Sequence, residues 1–334
     1  MRALALLSGG LDSSLAIRLV LDQGVEVIAV KFTSPFCRCD SGGICHAAEI
    51  AKEMKIDLIT VPKGEDYLEL VRSPRFGYGS AMNPCIDCRI YMLRKAKEIA
   101  LSLGLKFIFT GEVVGQRPMS QRIDTLKLIE KEAGLEGKLL RPLSAKLLQP
   151  TEAEQEGWVD RKKFLDISGR SRKRQLELAD ENNIVNYACP AGGCLLTSKD
   201  YSAKLIDFFK YSTDKFTIKD ALFLQIGRHF RIDGKKLVIG RNEEENHRIQ
   251  SFIDENHCIL EPINVKGPIG ILELADERTS FLAGSFVARY SDHCNSEVQV
   301  RINNKNNERI LILPPANDEL ISKYRISETI LGKS

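Results

Sequence analysis

The residues Ser8, Gly9, Gly10, Leu11, Asp12, Ser13 and Ser14 follow the apolar run Ala3 to Leu7 and precede the helical pattern Leu15, Ala16, Leu19, Val20. A strand therefore runs into a turn of small residues and then into a helix. The two glycines let the main chain approach a ligand closely and take positive φ, while the Ser8, Ser13 and Ser14 hydroxyls and the unpaired N–H groups of the new helix face the turn. The helix N-terminus adds partial positive charge, so the turn is suited to hold phosphate or pyrophosphate. No Gly-Lys-Ser/Thr follows and the glycines do not fall in the GxGxxG spacing, which excludes two commoner phosphate loops. A tight strand-to-helix turn with serine capping is the plain alternative.

Thiols form the second set of reactive residues. Cys85 and Cys88 lie in Asn83-Pro84-Cys85-Ile86-Asp87-Cys88 at a helix entry, and Cys194 follows Gly192-Gly193 about a hundred residues later. A helix start favours the charged sulfur, and CxxC spacing lets both sulfurs ligate one metal. Four readings stand side by side: a zinc site, a redox disulfide, an iron–sulfur cluster held by three cysteines with one iron open, and buried inert thiols. Cys37, Cys39 and Cys45, the last followed by His46, form a second group that could hold a metal or remain plain thiols. Cys258 and Cys294 are isolated and read as packed thiols.

The loop at 8–14 resembles the PP-loop of the ATP pyrophosphatase family, whose members split ATP between the α and β phosphates and transfer AMP to a substrate oxygen. That resemblance implies ATP and Mg2+ as cofactors, with Ser8, Gly9, Gly10, Ser13 and Ser14 holding pyrophosphate and Asp12 contacting the magnesium–phosphate assembly. The Cys85–Cys88 and Cys194 segments are similar to those of tRNA 2-thiouridylases within the same family. In the iron-sulfur-dependent members, a CxxC and a distant cysteine hold a 4Fe-4S cluster, which implies Cys85, Cys88 and Cys194 here, with Cys189 as an alternative third ligand. In cluster-free members the same segments supply a persulfide cysteine and its partner, which implies Cys194 and Cys88. The extra Cys85 favours the cluster. A comparable Arg-Pro-Leu segment in these thiolation enzymes implies roles at the nucleotide for Arg141 and Lys146.

Elements that would position these residues are legible along the chain. Apolar, β-branched segments at Val25 to Phe32, Asp57 to Val61 and Lys106 to Thr110 alternate with helical patterns around 13–22, 45–55 and 88–103. This alternation predicts a parallel sheet with helices on both faces and ligands outside the C-terminal strand ends. The last of these strands delivers Thr110, Gly111 and Gln116 to the edge that carries the 8–14 loop, where they can contact adenine or the activated intermediate. From about residue 204 the apolar segments are short and separated by turns, with Asp233-Gly234 reading as a hairpin turn.

Composition bounds the rest. The 334 residues allow two domains with ordinary cores, and a net charge of +3 decides nothing. From Arg161 to Arg174 seven of fourteen residues are basic and one is acidic, which fits either a solvated face or contact with a phosphate backbone. No apolar run approaches a membrane span, and nine cysteines in a cytoplasmic protein are expected to be reduced, metal-bound or catalytic. The segments Gly227-Arg228-His229-Phe230-Arg231 and Gly240 to Asn246 resemble the RNA-binding domain of the NFACT proteins, and basic residues beside His229 and Phe230 suit backbone contact plus base stacking. Because the first strand begins at the chain's start, an N-terminal THUMP domain of the 4-thiouridine synthases is not expected.

The sequence thus leads to a Rossmann-like parallel α/β sheet with a PP-loop, of the adenine nucleotide alpha hydrolase type, plus a smaller C-terminal α+β domain. The expected organisation is a PP-loop domain over 1–200, including a basic, cysteine-bearing extension at 138–198, and an RNA-binding domain over 201–334. ATP-dependent thiolation of a tRNA uridine by a cytoplasmic tRNA sulfurtransferase is the expected function, with Asp12, Cys88 and Cys194 as catalytic residues. Expected partners are tRNA and a sulfur donor, either sulfide or a persulfide carrier protein, with a homodimer as an option and no membrane. An amidating enzyme of the 7-cyano-7-deazaguanine synthase type and a non-catalytic RNA-binding protein are the alternatives.

Overall fold

The structure is a computed structural model that describes residues 1–38, 45–187, 193–292, 296–304 and 307–328. It divides into two compact units, Met1–Thr197 and Ser198–Ser334.

In the first unit the elements run β1 (Arg2–Leu6), α1 (Leu11–Leu21), β2 (Glu26–Thr33), α2 (His46–Glu53), β3 (Asp57–Pro62), α3 (Glu65–Arg72), α4 (Cys85–Ser102), β4 (Phe107–Thr110), α5 (Ile123–Ala133), β5 (Leu139–Leu140), α6 (Glu152–Gln155) and α7 (Lys173–Glu181). The strands form one parallel sheet in the order β3-β2-β1-β4-β5. Side chains alternate across it as strand geometry demands. Ala3, Ala5 and Leu7 pack with Ile17 and Val20 of α1, Ile50 of α2 and Leu178 of α7. Leu4, Ile28 and Val30 pack on the other face with Leu93 and Ala96 of α4 and Ile129 of α5. Both faces are covered, which is why these strands read as continuous apolar runs.

The order reverses at β1, flanked by β2 on one side and β4 on the other. Such a reversal opens a crevice beyond the carboxyl ends of the two diverging strands. The 8–14 loop leaves β1 there, and the 110–117 segment leaves β4 beside it.

The second unit contains α8 (Lys199–Tyr211), α9 (Ile218–Phe223), β6 (Arg228–Ile232), β7 (Lys235–Ile239), α10 (Glu243–Gln250), β8 (His257–Pro262), β9 (Gly270–Glu273), α11 (Glu277–Arg289), β10 (Val298–Asn304), β11 (Asn307–Leu313) and α12 (Asp318–Tyr324). Its antiparallel sheet has the order β11-β10-β8-β9-β7-β6. Asp233 and Gly234 take φ of 46° and 84° in the two-residue turn of the β6–β7 hairpin, matching the right-handed twist of the strands. Phe286 and Val287 of α11 pack on one side of the sheet, and Ile249 of α10 joins Val238 and Ile271 on the other.

One expectation is corrected here. His229 and Phe230 are buried rather than presented for stacking, with Phe230 edge-on to Phe286 and His229 Nε2 against the Ile226 carbonyl at 2.7 Å. Burial, reinforced by Lys236 and Lys204, pushes the His229 pKa well down, so the ring is neutral in the core. The cations around it are engaged too. Asp207 accepts from Arg231 Nη2 and Lys236 Nζ, each at 2.6 Å, Arg228 donates to the Gly240 carbonyl at 2.9 Å, and Arg241 bonds Glu245.

Candidate active site

The 8–14 loop is held in shape by its own residues. Gly9 has φ +79° and a Cβ there would meet the Ala47 nitrogen at 3.0 Å, so glycine is required by both conformation and space. Ser13 and Ser14 donate their hydroxyls to the Gly10 carbonyl at 2.8 and 3.1 Å, and Ser8 Oγ lies 3.3 Å from Ser13 Oγ. Ser14 is fully buried, so its hydroxyl shapes the turn from below. No side chain caps α1, and its first-turn N–H groups meet the loop directly. These are donors an anion can use.

Asp12 lies at the centre of the edge. Its Oδ2 accepts from Gln116 Nε2 at 3.1 Å and from Arg172 Nη2 at 3.4 Å. Its Oδ1 is buried and has no hydrogen-bond partner within the described residues. A buried carboxylate oxygen without a donor is costly unless a cation meets it, so this atom fits the magnesium–phosphate contact read from the sequence. Gly111 closes against the loop, because a Cβ there would lie 2.5 Å from the Asp12 carbonyl and the Ser13 nitrogen.

Other residues expected at the nucleotide are placed differently. Thr110 is buried and donates to Glu112 at 3.2 Å. Arg141 is 2% exposed and is committed to Glu112 Oε2 at 3.1 Å and to Glu130. Burial alone would raise the Glu112 pKa, but Arg141, Arg89 and the Arg141 and Thr110 hydrogen bonds outweigh it, leaving the carboxyl below its ordinary value. Arg141 thus ties β5 to the base of the site through Nε and Nη1, while its buried Nη2 has no hydrogen-bond partner among the described residues. Lys146 is exposed and lines a cavity of about 620 Å3 with Glu154, Asp160, Arg161 and Lys162. The Asp160 N–H bonds Gln23, which lies beyond the C-terminal end of α1, so this cavity belongs to the opposite end of the helix from the 8–14 loop.

The thiols sort into distinct environments. Cys88 Sγ receives Lys63 Nζ and Tyr67 Oη, each at 3.3 Å, and Lys63 also sits 4.4 Å over the Tyr67 ring. Burial and then the fields of Cys88, Cys194 and Cys37 raise the Tyr67 pKa well above its usual value, which places all three sulfurs around that phenol. Burial pushes Cys194 up to about 12. Cys85 is also raised by burial, against the pull of Arg89 and Arg117. Asp87, between the two cysteines, accepts from the Arg75 and Phe76 N–H groups at 3.1 and 3.0 Å and fixes the preceding loop.

Among the described residues no three His, Cys, Asp or Glu side chains converge to hold an ion. Cys88 bears electrostatically on both Cys85 and Cys194, while Cys85 also feels Arg89 and Arg117 and Cys194 also feels Lys63 and Cys37. Cys189 and Cys39 lie outside the described residues, as does Cys294. In the second group Cys45 accepts from Lys31 at 3.1 Å and Cys37 pairs with Cys194. Cys258 is a buried, packed thiol as read.

Residues 1–146, which carry the loop, Asp12 and the CxxC, match the family described as Thiamine biosynthesis protein (ThiI). This segment is therefore similar to the ThiI family. Residues 227–325 match the family described as NFACT protein RNA binding domain. The chain is 26% identical over 196 residues to a probable tRNA sulfurtransferase of Thermococcus kodakarensis, covering 55% of this chain and 44% of that protein. It is 34% identical over 134 residues to the tRNA-specific 2-thiouridylase MnmA of Verminephrobacter eiseniae, covering 36% of each. A solved 4-thiouridine synthetase–RNA complex with bound ATP aligns with a TM-score of 0.39 at 22% identity, covering 66% of this chain and 53% of that one. The chain spans less than half the length of the two curated relatives.

Around the ThiI-type loop, the residues missed by sequence reasoning are Lys63, Tyr67, Arg89 and Arg117. Arg117 is crowded by Arg89 and Arg172, and desolvation followed by Arg89 lowers its pKa. A cationic rim of this kind suits an anionic substrate. The only sequence signal was proximity in number, with Arg89 next to Cys88 and Arg117 next to Gln116.

Proposed function

We propose that this protein is an ATP-dependent tRNA sulfurtransferase that replaces a uridine carbonyl oxygen with sulfur. The observation that carries the reading is the uncapped start of α1 beside the unpartnered Asp12 Oδ1, at the reversal of a parallel sheet. The matches to the ThiI family, to the NFACT RNA-binding domain and to named tRNA-thiolating relatives support it.

In this reaction a uridine carbonyl oxygen attacks the α-phosphorus of ATP, and pyrophosphate leaves into the 8–14 loop. Asp12 would hold Mg2+, which would neutralise charge on the phosphates, and Gln116 and Arg172 hold Asp12 in place. A sulfur nucleophile then attacks the carbon and AMP departs with the former carbonyl oxygen. The sulfur comes from a persulfide carrier and passes through a Cys194 persulfide, near Cys88; free sulfide would instead attack the activated carbon directly. A base turned out of its stack would reach the site, and the NFACT-type unit supplies RNA affinity.

The test is direct. Purified protein, ATP, Mg2+, unmodified tRNA and a persulfide donor are combined, and digested RNA is examined for thiouridine by mass spectrometry alongside AMP release. Stoichiometric AMP and thiouridine support the reading. AMP release with no sulfur in the RNA points to an amidating enzyme, and RNA binding with no ATP cleavage to a non-catalytic protein.

A further inference from the structure

Cys37 and Cys194 occupy directly opposite positions in an isolated antiparallel bridge. The Leu195 N–H donates to the Phe36 carbonyl at 2.8 Å, while the Cys37 N–H turns away to Ser34. The two cysteines therefore form a non-hydrogen-bonded cross-strand pair, the closer of the two kinds, with Cα atoms about 4.5 Å apart. That separation falls within the range of roughly 4.4–6.8 Å that a disulfide spans. Both are free thiols here.

The pairing is well anchored. Phe36 and Leu196 are fully buried, the Met82 N–H bonds the Leu196 carbonyl at 3.1 Å, and the Thr197 hydroxyl bonds the Cys194 carbonyl at 2.7 Å. Ser34 Oγ lies 3.3 Å from Cys37 Sγ. By contrast, Cys88 comes from α4 with its sulfur already engaged by Lys63 and Tyr67. The sequence offered Cys88 as the partner of Cys194 because its segment resembles a thiouridylase motif. Register favours a different residue.

We propose that Cys37 is the resolving thiol, closing a disulfide with Cys194 to release sulfur to the RNA. The proposal rests on the thiolation reading. A carrier persulfide transfers its outer sulfur to Cys194, whose thiol proton passes to the departing carrier sulfur as the carrier's sulfur–sulfur bond breaks, giving a Cys194 persulfide and the carrier thiol. The terminal sulfur attacks the adenylated uridine carbon, the carbon–oxygen bond breaks and AMP leaves, so that Cys194 and the base are joined through two sulfurs. The Cys37 thiolate then attacks Cys194 Sγ. The old sulfur–sulfur bond breaks, its electron pair stays on the sulfur attached to the base, and thiouridine departs. An external dithiol reduces the Cys37–Cys194 disulfide, is itself oxidised, and resets the site.

Two measurements test this on the full chain. Persulfide-loaded protein is taken through one turnover without reductant, alkylated, digested and mapped by mass spectrometry. A Cys37–Cys194 disulfide in proportion to thiouridine is expected. Thiouridine accompanied by a Cys88–Cys194 disulfide, or by none, overturns the inference while leaving the thiolation reading intact. Independently of activity, titration of the free protein with azodicarboxamide, which oxidises dithiols, should yield Cys37–Cys194 as the first disulfide, and any other first pair overturns it.

A variant adds a readout that a structural role would not move. Cys37→Ser should lose about tenfold in multiple-turnover thiolation and accumulate a protein–RNA adduct that reductant cleaves, with dithiothreitol restoring the rate to within about twofold. Loss of rate without an adduct, or without rescue, counts against Cys37.

Discussion

The two units treat their charges in opposite ways. At the C-terminal edge of the parallel sheet, Asp12 keeps one buried oxygen without a partner and the Arg117 side chain has no hydrogen bond or ion pair among the described residues. In the second unit Arg231, Lys236, Asp207 and Glu273 satisfy one another, and Arg228 and Arg241 bond their own fold. The comparison teaches that abundance of charge is a poor guide to function. Groups left unsatisfied in a crevice await a ligand, while groups closed into a network hold a structure.

The largest effect expected within this contrast concerns Arg141, which belongs to the first unit but behaves like the second. Arg141→Met leaves Glu112 and Glu130 without their guanidinium and should cost about 3–5 kcal/mol, read by denaturant unfolding. A loss under about 1 kcal/mol would mean that the site's floor does not depend on the pair.

Asp12→Ala should lower ATP-dependent thiolation by about 10²–10³-fold while RNA affinity stays unchanged. Retained thiolation would remove the nucleotide assignment.

Lys236 gives a pH test of the closed network. Burial, only partly opposed by Asp207, pushes its pKa from 10.5 down to about 8. Between those values the unfolded chain holds a proton that the folded one has released, so the stability of the second unit should rise as pH increases across that window. Lys236→Met should flatten the slope, and a slope that persists would assign the effect elsewhere.

The smallest effect separates a free cation from a committed one. Arg117→Ala should weaken RNA binding about fivefold and reduce the salt slope of affinity by about one. Arg231→Gln should leave that slope unchanged, since its guanidinium already serves Asp207 and Glu273. Equal slopes for both variants would erase the distinction between the units.

Much of this was legible in the sequence because it is local. The β-branched runs of β2, β3 and β4 and the small residues of the 8–14 loop write their structure within a few positions, and Asp233-Gly234 specifies its turn outright. What escaped depends on partners far along the chain. Arg172 meets Asp12 across 160 positions, and Arg141 spends its charge on Glu112, 29 positions earlier. Lys146 stands only five residues beyond Arg141, yet the chain has turned towards the far end of α1 by then. Cys37 looked like a companion of Cys39 and Cys45, because sequence spacing cannot reveal that it pairs in register with Cys194.

Gly111 also constrains motion. With no room even for a methyl group between it and the backbone of Asp12 and Ser13, the phosphate loop and the segment after β4 form a single rigid jaw. Nucleotide traffic cannot depend on parting them. Across this edge Arg172 is latched to Asp12 by a 3.4 Å ion pair between partly exposed groups. Such a latch loosens as salt is added, which makes ionic strength a handle on how readily the site admits and releases its guests.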